Sequence, residues 1–177
     1  MKTMNKQTPL ILVLLLIASI LPIINVQADP QQSNLTSLTD VVITMKAEGG
    51  PCGCVPVNAE DLSCCPAYSI SIYGDGTVTY DGVASVKIRG KRVYKIPVEH
   101  VTELVDEFDR VGFYTLEDRY EGGISHANAT TISISVNGKT KSIYVFHGEP
   151  EALRGLMRKV YEVSKAVEYT GRASEMM

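Results

Sequence analysis

Apolar side chains recur at every second position in several short stretches of this chain, and at every third or fourth position in two longer ones. Tyr68, Ile70 and Ile72 alternate with Ser69 and Ser71, which predicts a strand with one buried face. Gly74-Asp75-Gly76 then turns the chain into Thr77-Val78-Thr79-Tyr80. Val86 to Arg89 and Arg92 to Ile96 flank a further glycine at Gly90 and read as another hairpin of the same meander. Upstream, the β-branched run from Val41 ends at Gly49-Gly50-Pro51, and downstream Ile132, Ile134 and Val136 alternate with Ser133 and Ser135. Asn137-Gly138 joins that run to Ser142-Ile143-Tyr144-Val145-Phe146, and Asn-Gly between two alternating runs is a strong hairpin signal.

The helical period appears twice. Val98, Val101, Leu104, Val105, Phe108 and Val111 recur at threes and fours between Pro97 and Gly112, with Glu99, Glu103, Asp106, Glu107 and Asp109 on the other face. From Pro150, Leu153, Leu156, Met157, Val160, Tyr161, Ser164 and Val167 share one stripe, opposite Arg154, Arg158, Lys159 and Lys165. The acidic and basic faces permit ion pairs if the helices lie side by side. Strands cluster as hairpins and helices follow separate groups of them, so the expected class is α+β. We expect an antiparallel sheet of about six to seven strands with two amphipathic helices packed on one face.

The N-terminus adds a destination. Lys2 and Lys6 precede an apolar run from Leu10 to Leu21, and Val26-Gln27-Ala28 ends in the small-residue pattern of a signal peptidase site. The run falls short of the roughly 18 residues of a spanning helix, so residues 1–28 read as a signal peptide cleaved after Ala28. An uncleaved N-terminal anchor is the alternative, and it is the only membrane contact expected. Residues 29–40 are polar and read as a flexible linker, 41–169 as one stapled domain and 170–177 as a disordered tail. The mature chain, roughly 150 residues, suits a single domain that buries about 68–70% of its unfolded surface. The full chain carries 17 basic and 20 acidic side chains, and losing Lys2 and Lys6 deepens the formal charge from −3 to −5. Nucleic acid is not an expected partner for such a surface.

Chemistry concentrates in four cysteines, Cys52, Cys54, Cys64 and Cys65. Adjacent Cα atoms lie about 3.8 Å apart, below the usual lower bound of about 4.4 Å for a disulfide, which disfavours Cys64 with Cys65. Nested and crossed pairings with Cys52 and Cys54 both remain, and either closes a loop against the Tyr68 strand. The first bridge would constrain the unfolded chain by roughly 3 kcal/mol. Four thiolates could instead hold zinc or cuprous copper, but C-x-C and C-C replace the paired C-x-x-C of such sites, and an exported chain meets an oxidising compartment. Disulfides are therefore the leading expectation, with no cofactor.

Cys65-Pro66-Ala67-Tyr68 followed by Gly74-Asp75-Gly76-Thr77-Val78-Thr79-Tyr80 resembles an uncharacterised exported family, domain of unknown function 6438. The likeness continues through Val86 to Gly90, Leu104 and Phe108, Gly112-Phe113, Leu116, Tyr120 and the last hairpin and helix, about residues 41–165. The resemblance implies that Cys65 matches the family's second cysteine and Cys52 or Cys54 the first, which makes residues 55–63 and the two further cysteines an elaboration of this member. It implies no activity. Family members tend to carry an acidic residue in the loop that here reads Ser125-His126-Ala127-Asn128, and this chain has none there.

Other candidate sites are sparse. Ser125 and His126 put a hydroxyl beside an imidazole and make a hydrolase an alternative, yet no G-x-S-x-G elbow surrounds them. His100 and His147 read as surface residues, able to join copper binding only with sulfur partners. Asn34-Leu35-Thr36 and Asn128-Ala129-Thr130 match glycan acceptor sequons. If Tyr73 and its polar neighbours stay uncovered, their sheet face becomes a candidate docking surface. The expectation is thus a non-enzymatic, extracytoplasmic binding module, secreted, in a periplasm-like space or at the cell surface, that meets a protein or small ligand there. Metal handling by the cysteines is the second reading and hydrolysis the third.

Overall fold

The alternating stretches form one seven-stranded sheet in the computed structural model, which describes residues 38–49, 62, 64–122 and 128–172. The leader and its cleavage point, Asn34, Cys52, Cys54, Ser125 and His126 lie outside the described residues. In chain order the strands are β1 (Val42–Glu48), β2 (Ala67–Tyr73), β3 (Thr77–Ala84), β4 (Gly90–Lys95), β5 (Arg119–Tyr120), β6 (Thr130–Val136) and β7 (Lys139–Val145). The helices are α1 (Val98–Arg110), α2 (Glu151–Val163) and the short α3 (Ala166–Thr170). Across the sheet the strands run β4-β3-β2-β1-β6-β7-β5, antiparallel at every step except β5 beside β7. The class is α+β.

Register sorts the side chains. Ile43 faces Ile72 and Ile134 across its two neighbours, and Met45 faces Ile70 and Ile132. All six are no more than 1% exposed, and they form one core with Val101, Leu104 and Phe108 of α1 and Leu153, Leu156 and Val160 of α2. Burying each such side chain is worth about 1.5–3 kcal/mol as an upper estimate. The apolar stripes of the helices complete this face among the described residues. Gly112, at φ 64°, stops α1 as its position required, and Asn137-Gly138, at φ 50° and 77°, form the tight turn between β6 and β7. The acidic and basic helices do touch: Glu107 lies 3.8 Å from Lys159 and accepts a hydrogen bond from Arg110.

Four local readings are corrected. Val86 to Arg89 is no strand: β3 pairs directly with β4, and this segment loops out between them. Its backbone is satisfied elsewhere, because Lys87 and Ile88 donate N–H bonds to the carbonyls of Thr170 and Tyr169. The closing helix breaks after Val163, where Lys165 takes a left-handed φ of 57°, so Val167 leaves the stripe and is 41% exposed. The domain does not end at Tyr169, since Thr170 is fully buried and its hydroxyl bonds that of Tyr161. Leu38–Asp40, assigned to the linker, form a 3-10 turn whose Leu38 carbonyl sits where a Cβ on Gly74 would fall. That close approach requires glycine at the β2–β3 turn.

Phe108→Ala removes a ring packed edge-on against Phe113 at 4.7 Å, and its expected cost is about 3–5 kcal/mol in urea unfolding. Val93→Thr, at a position 67% exposed, is expected to stay within about 0.5 kcal/mol. The Glu107 carboxyl is held below the usual range, first by the Arg110 hydrogen bond. Its stabilisation relative to Glu107→Gln, at most about 1 kcal/mol, is therefore present above the ordinary Glu value near pH 4.3. It is lost as the pH falls through the depressed folded value; stability difference curves that do not converge in acid would contradict this.

Candidate functional site

Two regions stand out from the core. The first is the base of the cysteine loop. Cys64 is 5% exposed, Cys65 half-buried, and neither is a free cysteine. Both lead directly into β2, whose Tyr68 is 3% exposed. Arg172 reaches back from beyond α3 and donates through Nη2 to the carbonyls of Leu62, Cys64 and, at 3.5 Å, Ser85. Tyr161 in turn donates to the Arg172 carbonyl at 2.9 Å. One guanidinium thus ties together the loop before β2, the segment after β3 and the chain's C-terminal turn. Charge-assisted bonds of this kind are stronger than neutral ones. Sequence reading missed Arg172 because it fell in the presumed tail; the one available signal was Gly171, a glycine placed to stop a helix.

A tyrosine row backs this region. Tyr68 lies 6.2 Å from Tyr161 and 6.1 Å from Tyr80, Tyr80 stacks on Tyr169 at 5.1 Å, and Tyr169 on Tyr94 at 5.0 Å. The hydroxyl of Tyr94 donates to the Ser164 carbonyl and that of Tyr80 to Ile88 at 3.2 Å, so the buried phenols are satisfied. Desolvation holds Tyr68, Tyr80 and Tyr94 well above the ordinary phenol pKa, with neighbouring tyrosines adding to the effect.

The second region is the sheet face away from the helices. None of its strand residues is buried and, among the described residues, no helix covers it. The pairing lines up Thr79, Ser71, Thr44, Ser133 and Ser142 in one unbroken row across β3, β2, β1, β6 and β7. Thr44 and Ser133 share a 2.6 Å hydrogen bond between their hydroxyls. A parallel row runs through Asp81, Ser69, Lys46, Thr131 and Tyr144, and Arg119 lies 4.2 Å over the Tyr144 ring. On the other side lie Thr77, Ser135 and Thr140, with a 3.0 Å bond between the last two. Tyr73, 41% exposed, stands opposite Val42 at this edge. Among the described residues, Tyr73 and its polar neighbours on this face are not covered by a helix.

The remaining candidates do not converge. His100 is on α1, partly exposed, and His147 is exposed after β7, where its ring packs over Gly122. Asn128 turns its amide inward, donating to the Pro66 carbonyl at 3.2 Å, so a glycan on that nitrogen would have to displace the bond. A groove of about 290 Å³ runs beside Val105, Asp109, Tyr114, Val136 and Lys139, near the lower size limit of ligand pockets.

Compared with known families, residues 62–164 match the family described as Domain of unknown function (DUF6438). The match takes in Cys64 and Cys65 and begins after Cys52 and Cys54. A search of curated proteins finds no match. The chain belongs to the DUF6438 family.

Arg172→Ala is expected to raise amide hydrogen exchange together in residues 166–172 and at Lys87 and Ile88, while β6 and β7 keep their protection. Unchanged exchange at Lys87 and Ile88 would show that Arg172 does not hold these segments together. The raised phenol pKa values mean that their contribution to stability is intact below about pH 10 and is lost as pH climbs toward the folded values. In an alkaline titration, part of the phenolate absorbance is expected to appear only with loss of near-UV circular dichroism. Reversible ionisation of every tyrosine in the folded protein would contradict it.

Proposed function

We propose that this member of the DUF6438 family is an exported, non-catalytic binding module, stapled by disulfides at its cysteine loop, that docks a partner through the open face of its sheet. One observation carries the docking reading: Thr79, Ser71, Thr44 and Ser133 stand in register, half-buried, on the outward side of neighbouring strands, while every large buried side chain of these strands lies on the opposite face. The export reading rests on the leader pattern of residues 1–28. The staple rests on Cys64 and Cys65 not being free, with Cys52 and Cys54 the remaining cysteines of the chain. Bonded sulfur is not available as thiolate, so this state supports the staple over a metal site. Nested and crossed pairings serve equally, because both fasten the loop to the start of β2.

Intact mass on protein from the extracytoplasmic fraction is expected to begin at Asp29 and to lie about 4 Da below the fully reduced value, the signature of two disulfides. Four free thiols with a metal-sized native increment would overturn the staple. A mass that includes residues 1–28 would replace the cleaved leader by an anchor. Docking is tested by lysine acetylation of the protein in its native extract and after purification. Lys46 and Lys91 lie on the open face and Lys165 on the helical side. Protection of Lys46 and Lys91, with Lys165 equally reactive in both samples, is expected in the extract, and equal reactivity of all three would remove the docking face.

A further inference from the structure

The chemistry of the open face limits what it can hold. Its central row, Thr79, Ser71, Thr44, Ser133 and Ser142, contains no charged or large apolar side chain. Charges sit around it in opposite-sign pairs, Lys46 with Glu48, Lys95 with Asp75 and Arg119 with Glu121, while Lys91 stands in register with Asp81, so the field they make offers no net attraction to a polyanion or a polycation. Among the described strand residues of this face, exposed large apolar side chains sit at the margins, at Tyr73, Val83 and Val93, separated from one another and too little for a greasy partner.

What the row does offer is a lattice of groups that both donate and accept. A serine or threonine hydroxyl carries one donor and two acceptor sites and rotates to suit. Strand spacing sets neighbours about 4.8 Å apart across the sheet, and the pleat sets them about 6.7 Å apart along each strand. Serine and threonine have little rotamer freedom to lose on binding, unlike the long charged side chains usual on an open sheet. Short side chains also leave the surface low, so that an extended chain can lie along it. At the edges, Tyr73 is 41% exposed and Tyr144 carries Arg119 on its ring, both amphipathic surfaces suited to a partner with alternating polar and C–H faces.

Resting on the docking reading above, we infer that the occupant is a neutral polysaccharide: an extended, polyhydroxylated, uncharged chain laid across the hydroxyl row. The sugar hydroxyls exchange hydrogen bonds with Ser71, Thr44 and Ser133, and the pyranose C–H faces meet the marginal tyrosine rings. Binding is accordingly insensitive to salt, because no ionic contact carries it.

The test uses the mature full-length protein with neutral oligosaccharides of the β-glucan and chitin types, and with acidic and sulfated oligosaccharides beside them. Amide chemical shifts are expected to move at Thr44, Ser71, Thr79 and Ser133 with neutral oligosaccharides only, equally at low and high salt. The triple variant Ser71→Ala, Thr79→Val, Ser133→Ala keeps strand-compatible side chains, and its unfolding midpoint checks that it is folded. Its affinity is expected to fall at least about tenfold, as loss of several hydrogen bonds requires. If the triple variant does not fold, Ser142→Ala, toward the edge of the row, carries the same reading with a smaller loss. Binding only to acidic or sulfated sugars, shifts confined to other surfaces, self-association through this face, or no binding to any neutral sugar would each overturn the inference. Should Lys46 and Lys91 still be protected in the native extract, the face docks a protein and only the carbohydrate assignment falls; should they be equally reactive there, the docking reading falls with it.

Discussion

Strand register is the constraint on which the other features stand. The side-chain period of a strand is two, so a slip of one residue in the pairing of β1 would carry Ile43 and Met45 to solvent and bring Thr44 and Lys46 into the core. β1 pairs with β2 along its whole length and with β6 over Val42–Ala47, and it is the strand through which the two halves of the sheet meet. Fixing its register therefore fixes which face of β2, β3, β6 and β7 the helices cover. The same registration aligns hydroxyls on the far side into rows. Apolar core and polar platform are two outcomes of one pairing.

The second organising feature is closure by the C-terminus. The turn at Ser164 and Lys165 redirects the chain so that α3 lies against the loop after β3, and its carbonyls take the N–H groups that a strand partner would have taken. Arg172 extends the same contact to the cysteine loop. Local hydrogen bonding here substitutes for the sheet edge, and it leaves β4 as an edge strand bearing Lys91, Arg92 and Lys95, charges that discourage pairing with another chain.

Much of this was legible in the sequence, and the exceptions share a cause. The runs around Val41, Tyr68, Thr77, Ile132 and Ser142 became strands, and the stripes of Leu104 and Leu156 became helices, because each alternation or helical period has its own local buried face. Val86 to Ile88 has a strand-like composition, but its partner is α3, a contact no local pattern announces. Arg119–Tyr120 is too short a strand to leave a period at all. Val167 continues a stripe that the backbone has already abandoned at Lys165. For the site, the serines of β2 and β6 could be seen to face outward, but their alignment into one row depends on β1 lying between those strands. Topology of that kind is a long-range property. The cysteine cluster was conspicuous from its spacing, while Arg172, which bonds the carbonyls of Leu62 and Cys64, was hidden by lying where the chain looked like tail.

The place of β1 also sets an order of events. Thr44 bonds Ser133 across 89 residues of chain, so the centre of the sheet cannot form until most of the domain is available. Contacts of such separation carry a large loop-closure cost and slow folding. Until β6 arrives, β2, β3 and β4 can assemble with β1 as an unfinished half-sheet whose free edge is the apolar alternation Ile43, Met45, Ala47. In the finished molecule that strand is the most protected; during folding it is the most vulnerable to another copy of itself.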